Sequence, residues 1–323
     1  MAVPSNTIQA VSRVGVREDL SDRIGELFPD DAPFKRAIGT GPKATQVYTE
    51  WQIDGLAAAN ADNKTIQGDD LANDSRANTT RVGTYTQIMK KVVSSSTTLE
   101  ASNKAGRRSE LAREIMKSGK EIQTDLEKRI CSGSPAVPPA SGTAGETAGA
   151  LAWITTNDSR GAGGADPTLS GSTTGYPNAG PTNGTLRNYT EALLKTVLAN
   201  AWTQGGNPSL VITSVGLKQT AAAFSGLATQ RREAGNKRLT IVAGADFYVS
   251  DVGEVQFVPS RYTTGRDALV VDPEYWELAY LDPLQMMDLA KTGLATRKAM
   301  YMEVALRCLN EKASGVVADI QVV

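Results

Sequence analysis

The sequence predicts an α+β fold, and three observations support this prediction. An alternating stretch, Gln46–Ile53, and a β-rich stretch, Arg81–Val93, indicate a long hairpin. The stretch Thr97–Cys131 directly behind them has helical periodicity and indicates one long helix. The C-terminal part is rich in strands and contains one of about a dozen residues, longer than the usual five or six.

Composition excludes several classes of function. The 323 residues are 40% hydrophobic, which is enough to bury a sizeable core. The charges are nearly balanced, with 34 basic and 35 acidic residues, so tight nucleic-acid binding through a basic face is not expected. The chain has no histidine, which excludes histidine-dependent catalysis and removes the commonest metal ligand.

The two cysteines, Cys131 and Cys308, are too few for a disulfide framework or a structural zinc site. We expect both to be buried, reduced thiols. No apolar run has membrane-spanning length, and the N-terminal residues lack a charged region followed by a hydrophobic one. We therefore expect a protein that is neither secreted by that route nor anchored to a membrane.

The N-terminal segment lacks a clear period up to about residue 17, so we expect an arm that orders only against another surface. Glu18–Phe28 has apolar residues at helical spacing, and several prolines then break the chain. Gly41–Lys43 lacks the second glycine and the hydroxyl residue of a phosphate-binding loop.

The hairpin strand Gln46–Ile53 places Val47, Thr49, Trp51 and Ile53 on one face. The polar stretch 57–80 predicts a long solvated tip, and its aspartates lack the spacing of a calcium-binding loop. Because the tip has too little apolar surface to fold on its own chain, we expect the alternating face to gain burial only on assembly.

The long helix begins, in this prediction, with a T-x-x-E capping box of Thr97 and Glu100. A helix over Thr97–Cys131 spans roughly 50 Å. Such a length is typical of a brace in an extended molecule, but a plain surface helix of a globular enzyme fits the same pattern. The apolar stripe consists of Leu111, Ile115, Ile122, Leu126 and Ile130.

Beyond this helix, glycine-rich and proline-rich stretches predict loops over residues 134–184 around a short apolar patch. We expect a helix over Leu186–Thr203, a buried strand over Leu210–Thr213 and a helix ending near Phe224. Later strands are expected at Phe247–Val249, Val255–Phe257, Ala268–Val271, Trp276–Leu281 and Ala299–Cys308.

A basic loop follows the third helix, and it lacks the interleaved aromatic residues of a nucleic-acid site. A solvated or subunit-facing loop is therefore favoured. Its basic residues are Arg231, Arg232, Lys237 and Arg238.

No catalytic triad, cysteine–histidine pair or cofactor fingerprint occurs in the sequence. An enzyme that acts on glycans would need two carboxylates paired in one cleft, and no such pair is indicated. The sequence therefore predicts no catalytic, cofactor or metal site.

The order of these elements resembles the Hong Kong 97-type capsid fold. Several stretches are similar to one branch of tailed-phage major head proteins, and together the likeness covers about Glu18 to Asp319. These stretches are Glu18–Leu20, Asp31–Phe34, Ile38–Gly39, Tyr48–Asp54, Tyr85–Ile88, Asn200–Pro208, Val271–Trp276, Leu289–Gly293 and Asn310–Ala313.

The resemblance implies a structural protein, not an enzyme, that assembles as hexamers and pentamers into an icosahedral phage head around double-stranded DNA. The alternative is the shell of a cellular, encapsulin-like nanocompartment. The implied divisions are an N-terminal arm (1–42), an extended E-loop (43–94), a P-domain with the spine helix (95–184) and the long strand (286–312), an A-domain (185–285), and a C-terminal strand returning to the A-domain (313–323).

The same resemblance implies roles for particular residues. Val47, Thr49, Trp51, Ile53 and Lys64 would make inter-subunit contacts through the E-loop. The basic loop Arg231–Arg238 would lie near the capsomer axis. The lysine–asparagine cross-link known in the family is not carried over, because neither its asparagine nor its catalytic carboxylate aligns with this sequence.

The implied partners are further copies of the chain, a portal and a decoration protein. The long N-terminal scaffolding segment of the family is missing, which implies either a separate scaffolding protein or none. DNA would be held weakly and without sequence specificity, and no cofactor or membrane is expected. The protein would be a virion component assembled in the host bacterial cytoplasm.

Overall fold

The computed structural model describes residues 32–70, 73–104, 108–224, 247–291 and 293–322. Residues 1–31 of the predicted N-terminal arm (1–42) lie outside these ranges, and so does the basic loop Arg231–Arg238.

Within the described ranges, the helices are α1 (Pro33–Ala37), α2 (Thr97–Ala101), α3 (Glu110–Ile130), α4 (Ala150–Trp153), α5 (Glu191–Thr203) and α6 (Val215–Ala221). The strands are β1 (Gly39–Thr40), β2 (Tyr48–Ile53), β3 (Thr80–Tyr85), β4 (Gln87–Ser96), β5 (Asp158–Ser159), β6 (Thr168–Leu169), β7 (Pro177–Ala179), β8 (Arg187–Asn188), β9 (Leu210–Thr213), β10 (Phe247–Ser250), β11 (Gly253–Pro259), β12 (Ala268–Val271), β13 (Trp276–Leu289), β14 (Ala295–Cys308), β15 (Gly315–Val317) and β16 (Ile320–Gln321).

The hairpin forms from β2 and β3, which pair antiparallel from Tyr48 opposite Tyr85 to Ile53 opposite Thr80. The return stretch Arg81–Val93 was predicted as one strand, and this prediction is wrong. Thr86 divides the stretch, because its N–H donates to the carbonyl of Val47 (2.8 Å) while its hydroxyl donates to Glu303 (2.5 Å). The chain then leaves the hairpin and continues as β4 in another sheet.

That sheet has the strand order β1-β13-β14-β4. The two central strands are antiparallel and 14 residues long, so the predicted long late strand is confirmed and begins earlier, at Ala295. The expected domain boundary at residue 285 falls inside β13. Helix α3 packs against β4 and β14 on one face of this sheet.

The predicted single helix from Thr97 to Cys131 is wrong, because residues 102–104, 108 and 109 are not helical. Helix α3 has 21 residues and is about 32 Å long. The predicted capping box is also wrong: the hydroxyl of Ser96, not that of Thr97, accepts the N–H of Leu99. The apolar stripe is confirmed in the C-terminal half of α3, where Ile122, Leu126 and Ile130 are buried.

A second sheet has the strand order β10-β11-β9-β12-β15-β5. Its strand β9 confirms the predicted buried strand, and β10 and β11 confirm the predicted hairpin. The predicted second helix begins later than expected, at Glu191, because Arg187 and Asn188 form β8 beside the C-terminal strand β16.

Two hydrophobic cores lie on opposite faces of this second sheet. Ile212 and Leu269 face the core shared with α3, α4 and the long strands. Val211 and Val270 face the core shared with α5 and α6. Because side chains alternate along β9 and β12, the second sheet packs against both cores, one on each face.

Both cysteines are buried free thiols, as predicted. In the described part of the chain, no helix is long and apolar enough to cross a membrane.

Candidate assembly surfaces

The base of the hairpin is fastened to its own chain through Trp51. Its indole Nε1–H donates to the carbonyl of Cys308 (2.9 Å), and its ring centroid lies 5.4 Å from that of Trp153. The guanidinium of Arg307 lies over the Trp51 ring, 5.6 Å from its centroid, and pairs with Glu277 at 2.8 Å. An aromatic ring, a hydrogen bond and a cation–π contact thus orient the hairpin relative to β13 and β14.

The expectation that the alternating face is buried only on assembly is wrong for three of its four residues. Thr49 is buried, and Trp51 and Ile53 pack against the core of the same chain. Val47 is 40% exposed. The reason is tertiary: the core to which Trp153 and Cys308 belong lies beneath the base of the hairpin. Whether these residues also contact another subunit stays a prediction.

The tip of the hairpin, residues 54–79, is exposed at every position that the structure describes. Leu56 and Ile66 leave 101% and 78% of their surface in solvent. The tip contains five aspartates and two basic residues, a net charge of −3. Lys64 lies on this tip and pairs loosely with Asp62 at 3.4 Å. The tip is therefore an acidic, extended segment with isolated apolar side chains.

A second exposed surface is the face of the four-stranded sheet opposite α3. Along β4, Lys91 points to the helix and pairs with Asp125 at 2.8 Å. Ile88, Lys90 and Val92 alternate with it and point away, so they lie exposed on the opposite face.

The same face has a further exposed apolar residue on β13, Met287, which is 47% exposed. Val92 and Met287 are both opposite Ala299 of β14, which lies between them and is buried. We call the surface formed by Ile88, Lys90, Val92 and Met287 the open sheet face. The sequence analysis missed it, although the alternation of Ile88, Lys90 and Val92 with Met89 and Lys91 was the available signal.

Two buried carboxylates that the sequence analysis also missed hold distant segments together. Glu127 of α3 accepts the backbone N–H groups of Phe34 and Lys35, both at 2.9 Å, and thus caps the first turn of α1. Burial raises the pKa of Glu127, although these hydrogen bonds oppose the shift. Asp319 accepts the N–H groups of Gly161 and Gly184.

No catalytic or metal arrangement occurs among the described residues. They contain no group of three or more acidic or cysteine side chains placed to hold a metal ion. A surface depression of about 410 Å³ lies beside β9 and β10. Among the described residues that line it, Glu254 is the only one with a carboxylate. Of the predicted site residues, the structure brings Thr49, Trp51 and Ile53 together at the hairpin base and leaves Lys64 on the exposed tip.

The chain is similar in sequence to known capsid proteins. A family model described as SU10 major capsid protein matches residues 3–321. The major capsid protein of Escherichia phage Phieco32 is 25% identical over 336 residues, covering 94% of each chain.

Similarity to solved structures shows which fold the chain has. The capsid asymmetric unit of cyanophage A-1(L) superposes with a TM-score of 0.70 at 11% identity, covering 97% of this chain and 99% of that one. The SrpI encapsulin of Synechococcus elongatus PCC 7942 superposes with a TM-score of 0.54 at 12% identity, covering 94% of this chain and 93% of that one. These likenesses confirm the predicted Hong Kong 97-type fold.

Proposed function

Because this chain belongs to the SU10 major capsid protein family, we propose that it assembles as hexamers and pentamers into the icosahedral head that encloses the phage's double-stranded DNA. The protein is a phage major capsid protein, a structural component of the virion and not an enzyme. Family membership favours the phage head over the nanocompartment shell, since the likeness to the encapsulin concerns the fold alone.

The observation that carries the proposal is the exposed tip of the hairpin. Burying a leucine or isoleucine side chain is worth about 1.5–3 kcal/mol, which a subunit with exposed Leu56 and Ile66 forgoes. In a shell of identical copies, every tip meets an equivalent neighbour, so the same burial is gained once per subunit. The tip is therefore suited to contact another copy of the chain.

We propose the open sheet face as the surface that this tip contacts. Ile88, Val92 and Met287 offer exposed apolar contact area, and Lys90 lies between them. The tip brings two apolar side chains and a net charge of −3. Opposite charges at the rim of such a contact favour the correct register and a faster association more than they add affinity.

The remaining partners belong to the same proposal. We propose a portal, a separate scaffolding protein and a decoration protein as further partners, and assembly in the host bacterial cytoplasm. DNA contact is proposed to be weak, and the balanced charge supports this because strong phosphate binding would require a basic surface. The roles of Lys64 and of the loop Arg231–Arg238 stay predictions.

The proposal is tested by replacing residues 56–78 with a short Gly-Ser turn and imaging the protein by negative-stain electron microscopy. We expect a folded protein, judged by circular dichroism, that does not close into stable shells. A paired test uses Ile66→Asp, which removes an apolar side chain and adds a charge. Its matched control, Asn63→Asp, adds the same charge on the same tip without removing apolar surface.

The expected result is shells from the parent and from Asn63→Asp, and few or none from Ile66→Asp and from the shortened protein. Shells of undiminished stability from the shortened protein would show that the tip does not contact a neighbour. Loss of shells from Asn63→Asp as well would mean that charge, and not apolar burial, controls the contact.

A further inference from the structure

A group of charged side chains, some buried and some partly exposed, lies where the C-terminal segment crosses the rest of the chain. It joins four segments: β5 with the loop after it, β8, the residues before β12, and the C-terminal residues around β16. We call it the junction, and its members are Asp158, Arg160, Asp166, Arg187, Arg266, Asp267 and Asp319.

Asp319 is the centre of the junction, with a side chain only 1% exposed. One carboxylate oxygen accepts from Arg266 (2.6 Å) and from the N–H of Gly184 (2.9 Å), and the other accepts from the N–H of Gly161 (3.0 Å). The backbone N–H of Asp319 donates to the carboxylate of Asp267. The C-terminal segment is thus held by several charged groups at once.

Two carboxylates of the junction compete for one donor. The Nε–H of Arg160 lies 2.8 Å from an oxygen of Asp158 and 2.7 Å from an oxygen of Asp166. A single N–H has one hydrogen and makes one well-directed hydrogen bond. The Arg160 side chain is 9% exposed, and its Nη2 atom has no partner among the described residues. The Asp158 side chain is 14% exposed and that of Asp166 is 49% exposed, so two ionised carboxylates that share one N–H repel each other, and water screens this repulsion only on the Asp166 side.

The charges of the junction are also unbalanced. Four carboxylates face three guanidinium groups, and a guanidinium keeps its charge at every pH that a protein survives. One extra proton makes the junction neutral. Glu191 and Lys195 of α5, which packs against β5, do not alter this balance because they pair with each other at 3.0 Å. Two further carboxyls have pKa values that burial raises: Asp267, within the junction, and Glu311, which accepts from Thr155 and Thr156 just before β5.

We propose that the junction holds one proton between Asp158 and Asp166 below neutral pH, and that losing it as the pH rises to neutral weakens the hold on the C-terminal segment. Burial and the hydrogen bond with Asp166 raise the pKa of Asp158 to about 7. Burial also acts to raise the pKa of Asp166, but hydrogen bonds from Asp158 and Arg160 lower it overall. The inference does not depend on the proposed assembly.

The sign of the pH effect follows from these directions. A carboxyl whose pKa is higher in the folded state than in the unfolded state stabilises the fold below its unfolded pKa, and this stability is lost as the pH rises through the folded value. For Asp158 the loss therefore accumulates as the pH rises toward about 7 and levels off above that value. Asp166 acts in the opposite sense, and only at acid pH, because its pKa is lowered.

The absence of histidine makes this proton measurable. Histidine is the side chain that ordinarily titrates between pH 5 and 8, and the chain contains none. The α-amino group titrates near this range too, but it is the same in every variant. A difference between wild type and a single variant at Asp158 therefore reports the junction.

The test is a potentiometric titration of the folded protein from pH 6 to pH 8.5, with thermal unfolding measured over the same range. Wild type is expected to release about one more proton per chain than Asp158→Asn, and to lose thermal stability as the pH rises. Asp158→Asn carries no titrating proton, so it should keep its unfolding temperature across this range. The matched control is Asp125→Asn, which removes an aspartate paired with Lys91 on the surface of α3.

Asp166→Asn provides a second variant should Asp158→Asn fail to fold. With Asp166 neutral, Asp158 faces Arg160 alone, so its proton should be released at a lower pH and the loss of stability near pH 7 should disappear. The proposal is overturned if wild type and both variants release the same number of protons, or if their unfolding temperatures fall in parallel. It is also overturned if Asp125→Asn removes the effect, because the proton would then lie elsewhere.

Discussion

Glu100, in α2, accepts a hydrogen bond from the backbone N–H of Leu111 in the first turn of α3, with 2.7 Å between the two atoms. The side chain also accepts from the hydroxyl of Ser95 and pairs with Lys104 at 3.6 Å. The residue that the sequence pattern assigned to the start of one helix therefore caps the start of the next. The sequence pattern is helical without interruption, but the chain forms two helices, and the hydrogen bond between Glu100 and Leu111 spans the break between α2 and α3.

Replacing Glu100 should destabilise the link between α2 and α3. The hydrogen bond from Leu111 lowers the pKa of Glu100, so the carboxylate stabilises the fold above its unfolded pKa and this contribution is lost as the pH falls through the folded value. We expect Glu100→Ala to lower the unfolding temperature, and Glu100→Gln to lower it less because the amide oxygen still accepts. Thermal circular dichroism measures this, with Glu114→Ala as the control, since Glu114 is a half-buried glutamate of α3 that pairs with Arg113 and Lys117 instead of capping a helix. Equal effects of Glu100→Ala and Glu114→Ala would contradict a capping role.

Trp51→Phe removes the indole donor to Cys308 while keeping an aromatic ring. Leaving a buried carbonyl without its partner costs about 1–3 kcal/mol. The free energy of unfolding should fall by this amount, and denaturant unfolding measures it. Trp202→Phe is the matched control, since Trp202 is 59% exposed on α5 and its replacement should change the stability by no more than about 0.5 kcal/mol. A loss no larger than that of the control would show that the hydrogen bond does not hold the hairpin base.

Substitutions at Asp319 should separate charge from backbone conformation. Asp319 has a positive φ of 58°, a region that asparagine tolerates better than alanine. Asp319→Asn removes the charge facing Arg266 and should cost less than the about 3–5 kcal/mol of a fully buried pair, because the Arg266 side chain is 28% exposed and water partly screens its charge. Asp319→Ala should cost more, since it also removes both acceptors and strains the backbone. Thermal unfolding of the two variants checks the order, and an alanine variant more stable than the asparagine variant would contradict it.

The two thiols should take no part in assembly. Burial raises the pKa values of Cys131 and Cys308 well above the usual range, so neither forms the reactive thiolate readily. We expect the same shells with and without dithiothreitol, and slow alkylation of both residues in the native protein. Disassembly on adding the reductant, seen by electron microscopy, would contradict this, because both cysteines are free thiols in the structure.

Local sequence patterns correctly predicted those elements whose formation depends on neighbouring residues alone. The strand Leu210–Thr213 is a short apolar run, and the hairpin of β10 and β11 turns at Asp251–Gly253, so both were predicted from a few neighbouring residues. The alternation that identified the long strand also extends over β14. The order of such elements, together with the stretches similar to phage head proteins, was enough to predict the capsid fold and the structural function.

Tertiary structure alone decided which surfaces are covered and where elements break. The hydroxyl of Thr86 meets Glu303, which is 217 positions away in the chain, and this contact ends the hairpin where the sequence continues to read as strand. Trp51 is covered because the chain returns Cys308 and Trp153 to the base of the hairpin. Alternation along a strand shows that a face is apolar, but it does not show whether the same chain or a neighbouring copy covers that face. That choice depends on contacts between distant residues, and the same holds for the charges that meet at Asp319.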